Sequence, residues 1–539
     1  MTSLRQPAAT TIPPPATHLS ARLIALATPL RLGILQATAC LLLTLVELAE
    51  PPARPGFAGM AFSNAINSPG AWNGLLLFQD AFSWLPGVEP GVSVSPTAYL
   101  FWRRTGIVLL ALLQVAALLG CLTPAARRVP ASAWRWLAGP LLGSIALLPY
   151  PPINTDVFYY AAGARVAAIG DNPYLTAPLA FPDDPFAPFN DWARITTPYG
   201  PVWTTLSRAV YAASGDDPTR AALGFKLLAA LAAIGMAWLT IRLAHRLTAN
   251  RPVALAAGVL VGWQPALLLE SAGTAHLDAT MMLLALGGLL LLASSRPGGV
   301  RIGLVLLAAS ALIKPVTLPL LGLAALARLW TPEPIAVVAR RWLGDSAAIL
   351  LLAAACFAPY WSGGDLARVL VTQGKLLYVD EPFGVNPLWY WLLPNIPGIP
   401  AGDDWVDLAN VTLRPGTQAA TVILLAWSLV RLLRAAAAVR RTEPPITAHP
   451  VSATVTQDPL PAVTRSWAIA AATLTLIPIN AHAWYAIWAV APVALAWSLH
   501  ATQRTGSDRP IPWWLWLYLA WSLAAFLIYH TAVWPGPDS

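Results

Sequence analysis

Apolar runs of membrane-crossing length recur along almost the whole chain, and no other feature restricts its fold as strongly. They lie at about 32–49, 105–123, 134–150, 219–243, 252–270, 277–295, 302–313, 315–329, 346–361, 416–434, 466–480, 484–500 and 512–531. Most approach the roughly 17–25 residues with which a helix crosses a ~30 Å hydrocarbon layer. They do not alternate polar and apolar residues as the strands of a membrane barrel must. Only 11% of the 539 residues are charged and 57% are hydrophobic, whereas an ordinary soluble chain is about a quarter charged. The expected fold is an all-α polytopic membrane protein of about 13 transmembrane helices.

The segment 302–329, "IGLVLLAASALIKPVTLPLLGLAALA", decides the topology. As one helix it places Lys314 at mid-membrane, at a cost of ~3 kcal/mol, and Pro315 in a helix interior. Arg296 and Arg301 precede it, and Arg328, Arg340 and Arg341 follow it. Basic loops favour the cytoplasm, so both ends belong on one side and the segment is expected to be a hairpin with Lys314 at its tip. Each half is too short to cross, so the turn must be buried in protein or line a cavity. The remaining basic groups then fall on that same inner side: Arg127/Arg128, Arg242/Arg246/Arg251, Arg431/Arg434/Arg440/Arg441 and Arg504/Arg509. The N-terminus is expected inside and the C-terminus outside. Arg103 and Arg104 dissent, lying on the outer side just before the second span.

The net charge of +8 and the 25 tryptophans follow from basic inner loops and an interfacial aromatic belt, and imply no nucleic-acid partner. Cys40, Cys121 and Cys356 lie inside apolar runs and read as small buried hydrophobes. Residues 1–20 are Pro/Thr-rich and expected to be disordered. They lack the basic and apolar succession of a signal peptide.

With this topology the unusual polar residues gather on the outer side. Asp156 opens the outer segment 151–218, at the head of an expected short helix over 155–169 that lies along the surface and is closed by Gly170. An acid in a first turn suits the helix dipole and Asn154 can cap it; a carboxylate at a dry interface can equally take a proton from a hydroxyl. Arg165 on that helix is placed to meet a phosphate or to snorkel. Tyr199 stands in "TTPYGPVW", and His276 and Asp278 in the turn "SAGTAHLDAT". The last two read as turn-stabilising groups or, more weakly, as two metal ligands lacking a third. Lys314 at a recessed tip calls for an anion, and lipid phosphate is the one at hand. Asn386 lies in "DEPFGVNPLWYW" of the outer segment 362–415, and His482, Trp484, Tyr485 and Trp488 in the turn "NAHAWYAIW". The aromatic residues read as belt or as faces for sugar rings and isoprenoid chains.

The stretch Thr155-Asp156-Val157-Phe158-Tyr159-Tyr160 followed by "AAGARVAAIGDNPY", then Tyr199-Gly200-Pro201, His276-Leu277-Asp278, Lys314-Pro315 and Trp484–Trp488, resembles the ordered motifs of membrane-embedded GT-C glycosyltransferases. It is most similar to the bacterial polyprenyl-phosphate-mannose-dependent mannosyltransferases. The resemblance covers roughly 150–490. It implies transfer of a sugar, mannose in that family, from a polyprenyl phosphate to a glycolipid or glycan hydroxyl on the outer face of a bacterial cytoplasmic membrane. Asp156 inherits the role of general base. Lys314, His276, Asp278, Arg165, Tyr160, Tyr199, Asn386, His482, Trp484 and Tyr485 become the expected substrate-binding set. The donor is a co-substrate, no cofactor is implied, and membrane lipids are the surroundings. Two spans precede Asp156 here, and Val157 stands where some relatives carry a second acid, so metal dependence is left open. The implied organisation is a transmembrane extension over 21–130, a GT-C-like core over 131–435, a cytoplasmic linker over 436–465 and terminal helices over 466–539. The rival expectation is a transporter or flippase of lipid-linked sugars, which would bury its charges at mid-membrane between inverted repeats.

Overall fold

The computed structural model describes residues 15–49, 69–86, 88, 96–122, 133–152, 154–294, 298–329, 333–363, 411, 413–441, 458–478, 482–503 and 511–531. Among these, every regular element is helical: α1 (Pro15–Leu48), α2 (Pro69–Ala81), α3 (Pro96–Leu122), α4 (Ala133–Ala146), α5 (Asp156–Ala168), α6 (Pro201–Ser214), α7 (Pro218–Thr248), α8 (Arg251–Gly262), α9 (Pro265–Gly273), α10 (Asp278–Leu292), α11 (Gly299–Ala311), α12 (Leu318–Leu326), α13 (Ile335–Phe357), α14 (Arg414–Arg441), α15 (Leu460–Leu476), α16 (Ala486–Gln503) and α17 (Trp513–Thr531).

Five helices are long and apolar enough to cross a membrane: Pro29–Leu48, Ala98–Leu122, Pro218–Thr248, Ile335–Tyr360 and Arg414–Ala438. The pair α8 and α9 makes a sixth if its 55° bend is allowed within one span. The protein is thus a multi-pass helical membrane protein. The described residues hold five or six such helices where thirteen spans were expected, because several apolar runs fold into shorter helices. The run 252–270 breaks at Trp263 and Gln264, where Pro265 starts a new helix. Helix α10, at 15 residues, rises only ~22 Å.

Helix α1 begins at Pro15, inside the segment expected to be disordered. It packs on α4, with Thr44 Oγ1 donating to the Ala146 carbonyl at 2.9 Å. Arg103, the dissenting outer arginine, is no loop charge: it lies inside α3, buried, with Nε 3.1 Å from Glu47 Oε1 on α1. The Tyr99 hydroxyl joins them, 2.8 Å from Glu47 Oε2. A paired charge of this kind escapes the loop-counting rule that orients helices.

Lys226, fully buried in α7, donates to the carbonyls of Leu148 and Tyr150. It satisfies carbonyls of the turn that follows α4.

The segment 299–329 turns back on itself. Val300 at its start and Ala327 near its end line one cavity, while Lys314 lies between α11 and the 3-10 turn Pro315–Thr317. Ser310 Oγ pins the turn to the Met281 carbonyl at 2.8 Å. The loop Tyr199-Gly200-Pro201 docks on this hairpin: Gly200 N–H donates to the Ile313 carbonyl at 2.9 Å and Val202 N–H to that of Leu312 at 3.2 Å. A Cβ on Gly200 would lie 2.0 Å from the Leu312 oxygen, so only glycine permits the approach. Helix α5 is enclosed by protein. Val157 to Ala162, Ala164, Val166 and Ala167 are all buried, the pattern of a helix enclosed by protein.

Candidate functional site

Asp156 is the first residue of α5. Its backbone N–H donates to Asn154 Oδ1 at 3.3 Å, and Thr155 makes no side-chain cap. Among the described residues the carboxylate is contacted by side chains and not by a backbone N–H. Three groups converge on one of its oxygens, Oδ2: the Tyr160 hydroxyl at 3.3 Å, the Tyr199 hydroxyl at 3.4 Å and His276 Nε2 at 3.7 Å. Tyr160 follows one turn later on α5, and Tyr199 is held by the Gly200 contact. None of the described residues hydrogen-bonds Oδ1, and the side chain is 20% exposed. A carboxylate oriented through one oxygen, with the other open, can accept a proton from a hydroxyl placed before it.

His276 stands in the turn between α9 and α10. Its Nδ1 lies 2.8 Å from Glu270 Oε2, with both side chains at most 2% exposed. Thr274 Oγ1 contacts both, at 2.9 Å from Glu270 Oε2 and 3.0 Å from His276 Nδ1. The Asn154 amide is 3.1 Å from Nε2. Burial pulls the imidazole toward its neutral form, but the hydrogen bond and charge of Glu270, then Asp156 and Asp278, outweigh it and raise its pKa.

Asp278 turns the other way. Trp488 Nε1 donates to its Oδ1 at 2.6 Å and Lys314 Nζ lies 3.3 Å from the same oxygen. The ammonium sits 4.5 Å from the Tyr485 ring centroid and 4.8 Å from that of Trp488, a cation–π arrangement. Its side chain remains 22% exposed. The Asp156 carboxylate also acts on it through space. The His276–Asp278 metal pair is thus parted, each facing a different partner, and no group of three or more His, Cys, Asp or Glu among the described residues is arranged for a metal ion.

The turn 482–485 closes the site. Trp484 stacks between His276, centroids 4.7 Å apart, and His482, 4.1 Å apart. Tyr485 stacks on Trp488 at 3.7 Å. Burial, and then the charges of Lys314 and His276, pull the His482 pKa down to about 3, so this ring is neutral.

Of the expected site residues, the structure brings together Asp156, Tyr160, Tyr199, His276, Asp278, Lys314, His482, Trp484 and Tyr485. Arg165 is not among them: it lies about 13 Å further along α5 at 1.5 Å per residue, with Nε 3.2 Å from Asp216 Oδ1. Asn386 lies outside the described residues. Glu270 escaped the sequence reading because it closes an apolar run. The signal was present, since an acid embedded in such a run is a functional candidate by default.

Fold and site together define a multi-pass helical membrane protein with a carboxylate-centred polar cluster at one end of its helices. The chain belongs to the alpha-(1->6)-mannopyranosyltransferase family, whose N-terminal-domain model matches residues 56–330, just over half of the sequence. That region holds Asp156, Tyr199, Glu270, His276, Asp278 and Lys314, and begins inside the expected N-terminal extension.

Alpha-(1->6)-mannopyranosyltransferase A of Corynebacterium glutamicum is 27% identical over 147 residues, covering 27% of this chain and 29% of the relative. A probable alpha-(1->6)-mannopyranosyltransferase of Mycolicibacterium smegmatis is 28% identical over 204 residues, covering 36% and 34%. Alpha-(1->6)-mannopyranosyltransferase B of Corynebacterium glutamicum is 28% identical over 148 residues, covering 26% and 24%. The chain thus aligns with about a third or less of each relative's length. No solved structure matches it.

Proposed function

We propose that the protein is a membrane mannosyltransferase, carrying mannose from a polyprenyl-phosphate donor to a hydroxyl of a glycolipid or glycan. The reaction takes place on the outer face of a bacterial cytoplasmic membrane, with the N-terminus inside and the C-terminus outside. Support for mannose comes from the names of the three relatives. The observation that carries the mechanism is Asp156, anchored through Oδ2 by Tyr160, Tyr199 and His276 and, among the described residues, without a hydrogen-bond partner at Oδ1.

The acceptor oxygen forms a bond to the sugar's anomeric carbon and gives its proton to Asp156. The bond from that carbon to the phosphate oxygen breaks, and its electron pair leaves on the phosphate. Lys314, part-exposed on its two rings, supplies the positive charge that meets the leaving group; such preorganised charge is worth about 10²–10³ in rate. A general base contributes about 10²–10⁴. Asp156→Asn in membranes given labelled polyprenyl-phosphate mannose is therefore expected to lose at least ~100-fold in transfer while still binding donor. Undiminished transfer by that variant removes Asp156 from the reaction. Donor crossing the membrane without bond formation by the wild type would instead mark a transporter.

A further inference from the structure

We propose that Glu270 is a positioning residue for this reaction: through His276 it holds an imidazolium against Asp156, so that the base is presented in one orientation. The inference rests on the assignment of Asp156 above. Its observations are separate from that assignment. Glu270 is only 1% exposed, and a buried carboxylate is costly unless it meets a cation or several donors. The imidazole 2.8 Å away and the Thr274 hydroxyl answer that need.

The backbone is shaped to make the pair. Residues Leu269–Gly273 form a π-turn, and the Glu270 carbonyl accepts the His276 N–H at 2.8 Å. Ala275 between them takes φ +65°, a left-handed conformation that is unfavourable for a residue with a side chain. Turns of this kind concentrate at functional sites. Together they direct Nδ1 to Glu270 and turn Nε2 toward Asp156 Oδ2 at 3.7 Å, with the Asn154 amide nearer at 3.1 Å, so that the ring stands between two carboxylates.

The charged and titratable groups around the imidazole come from five elements. Asp156 on α5, Glu270 on the π-turn and Asp278 at the head of α10 act on it as anions. Lys314 of the hairpin is bound to Asp278. Neutral His482 faces it across the Trp484 ring. Of the anions, Glu270 is the one in hydrogen-bonding contact. A histidine whose pKa is raised in the folded protein keeps its proton below its ordinary value near 6.5 and loses it as pH rises through the raised value. Transfer is therefore expected to have an alkaline limb set by His276, and Glu270 determines where that limb lies.

The test is the pH profile of transfer by the purified full-length chain, with labelled polyprenyl-phosphate mannose and a glycolipid acceptor. In Glu270→Gln the alkaline limb is expected to move to lower pH by about one unit. Transfer then falls by up to about tenfold at pH values above the wild-type limb and stays near wild type well below it. Glu270→Asp restores part of the shift, and Thr274→Val moves the limb the same way by less. A Glu270→Gln profile that keeps its wild-type shape and loses rate evenly overturns the inference, because a merely structural role predicts that result. Should Glu270→Gln fail to fold, Thr274→Val carries the same decision. Asp156→Asn is run alongside. If it transfers normally, the assignment of the base fails; if it is inactive while the limb stays in place, only the role of Glu270 fails.

Discussion

At the residue scale, the ionisable groups of the site each meet defined partners. Asp156 receives its donors on a single oxygen, Lys314 rests on Asp278 and two rings, and His276 stands between two carboxylates. His482 is the exception, an imidazole held neutral by burial and nearby positive charge, with its pKa near 3. Because this value lies below the ordinary 6.5, the unfolded chain takes up a proton before the folded one. The stabilisation is present above about pH 6.5 and is lost as pH falls toward 3. Between pH 7.5 and pH 5 the wild type is expected to lose about 1–2 kcal/mol more than His482→Phe. Thermal unfolding of both in detergent at the two pH values measures it, and parallel losses would contradict it.

At the element scale, the decisive contact is between two turns far apart in sequence. The Tyr199-Gly200-Pro201 loop hydrogen-bonds the hairpin tip at Leu312 and Ile313. That contact ties Tyr199, a donor to Asp156, to the turn bearing Lys314. Gly200→Ala puts a methyl 2.0 Å from a carbonyl oxygen, which the two backbones relieve only by separating. The expected result is a destabilisation of about 1–3 kcal/mol and a loss of transfer larger than the loss of folded protein. Unfolding midpoints measured beside initial rates decide this; full activity at wild-type stability would show that the contact does not position the site. The Glu47–Arg103 pair ties α1 to α3 in the same way, by a buried contact between distant segments.

For the whole molecule, the site turns lie at one end of the helices and several arginines at the other. Arg246 pairs with Asp458, Arg301 with Asp345 and Arg341 with Glu333 at that opposite end. The proposed orientation puts the basic end inward. A cysteine introduced as Asp183→Cys is expected to react with an impermeant thiol reagent applied to intact cells. Arg246→Cys is expected to react only after the membrane is opened. The three native cysteines lie in apolar helices and give little background. Labelling of Arg246→Cys in intact cells would reverse the orientation.

The sequence by itself determined the medium and the chemistry available. Long apolar runs with few charges leave a helical membrane protein as the solution, because backbone polar groups in lipid must be satisfied within the helix. The isolated polar turns that survive between those runs exposed Asp156, His276, Asp278, Lys314 and the 482–485 aromatic turn as candidates. Partnership was decided only by the tertiary structure. Arg165 and Asp156 share one helix yet face different partners, while Glu270 closes an apolar run and still reaches the centre of the site. Pairing depends on where turns from several helices meet, to within a hydrogen-bond length, and that distance is set by packing contacts such as Gly200 on Leu312 rather than by spacing along the chain.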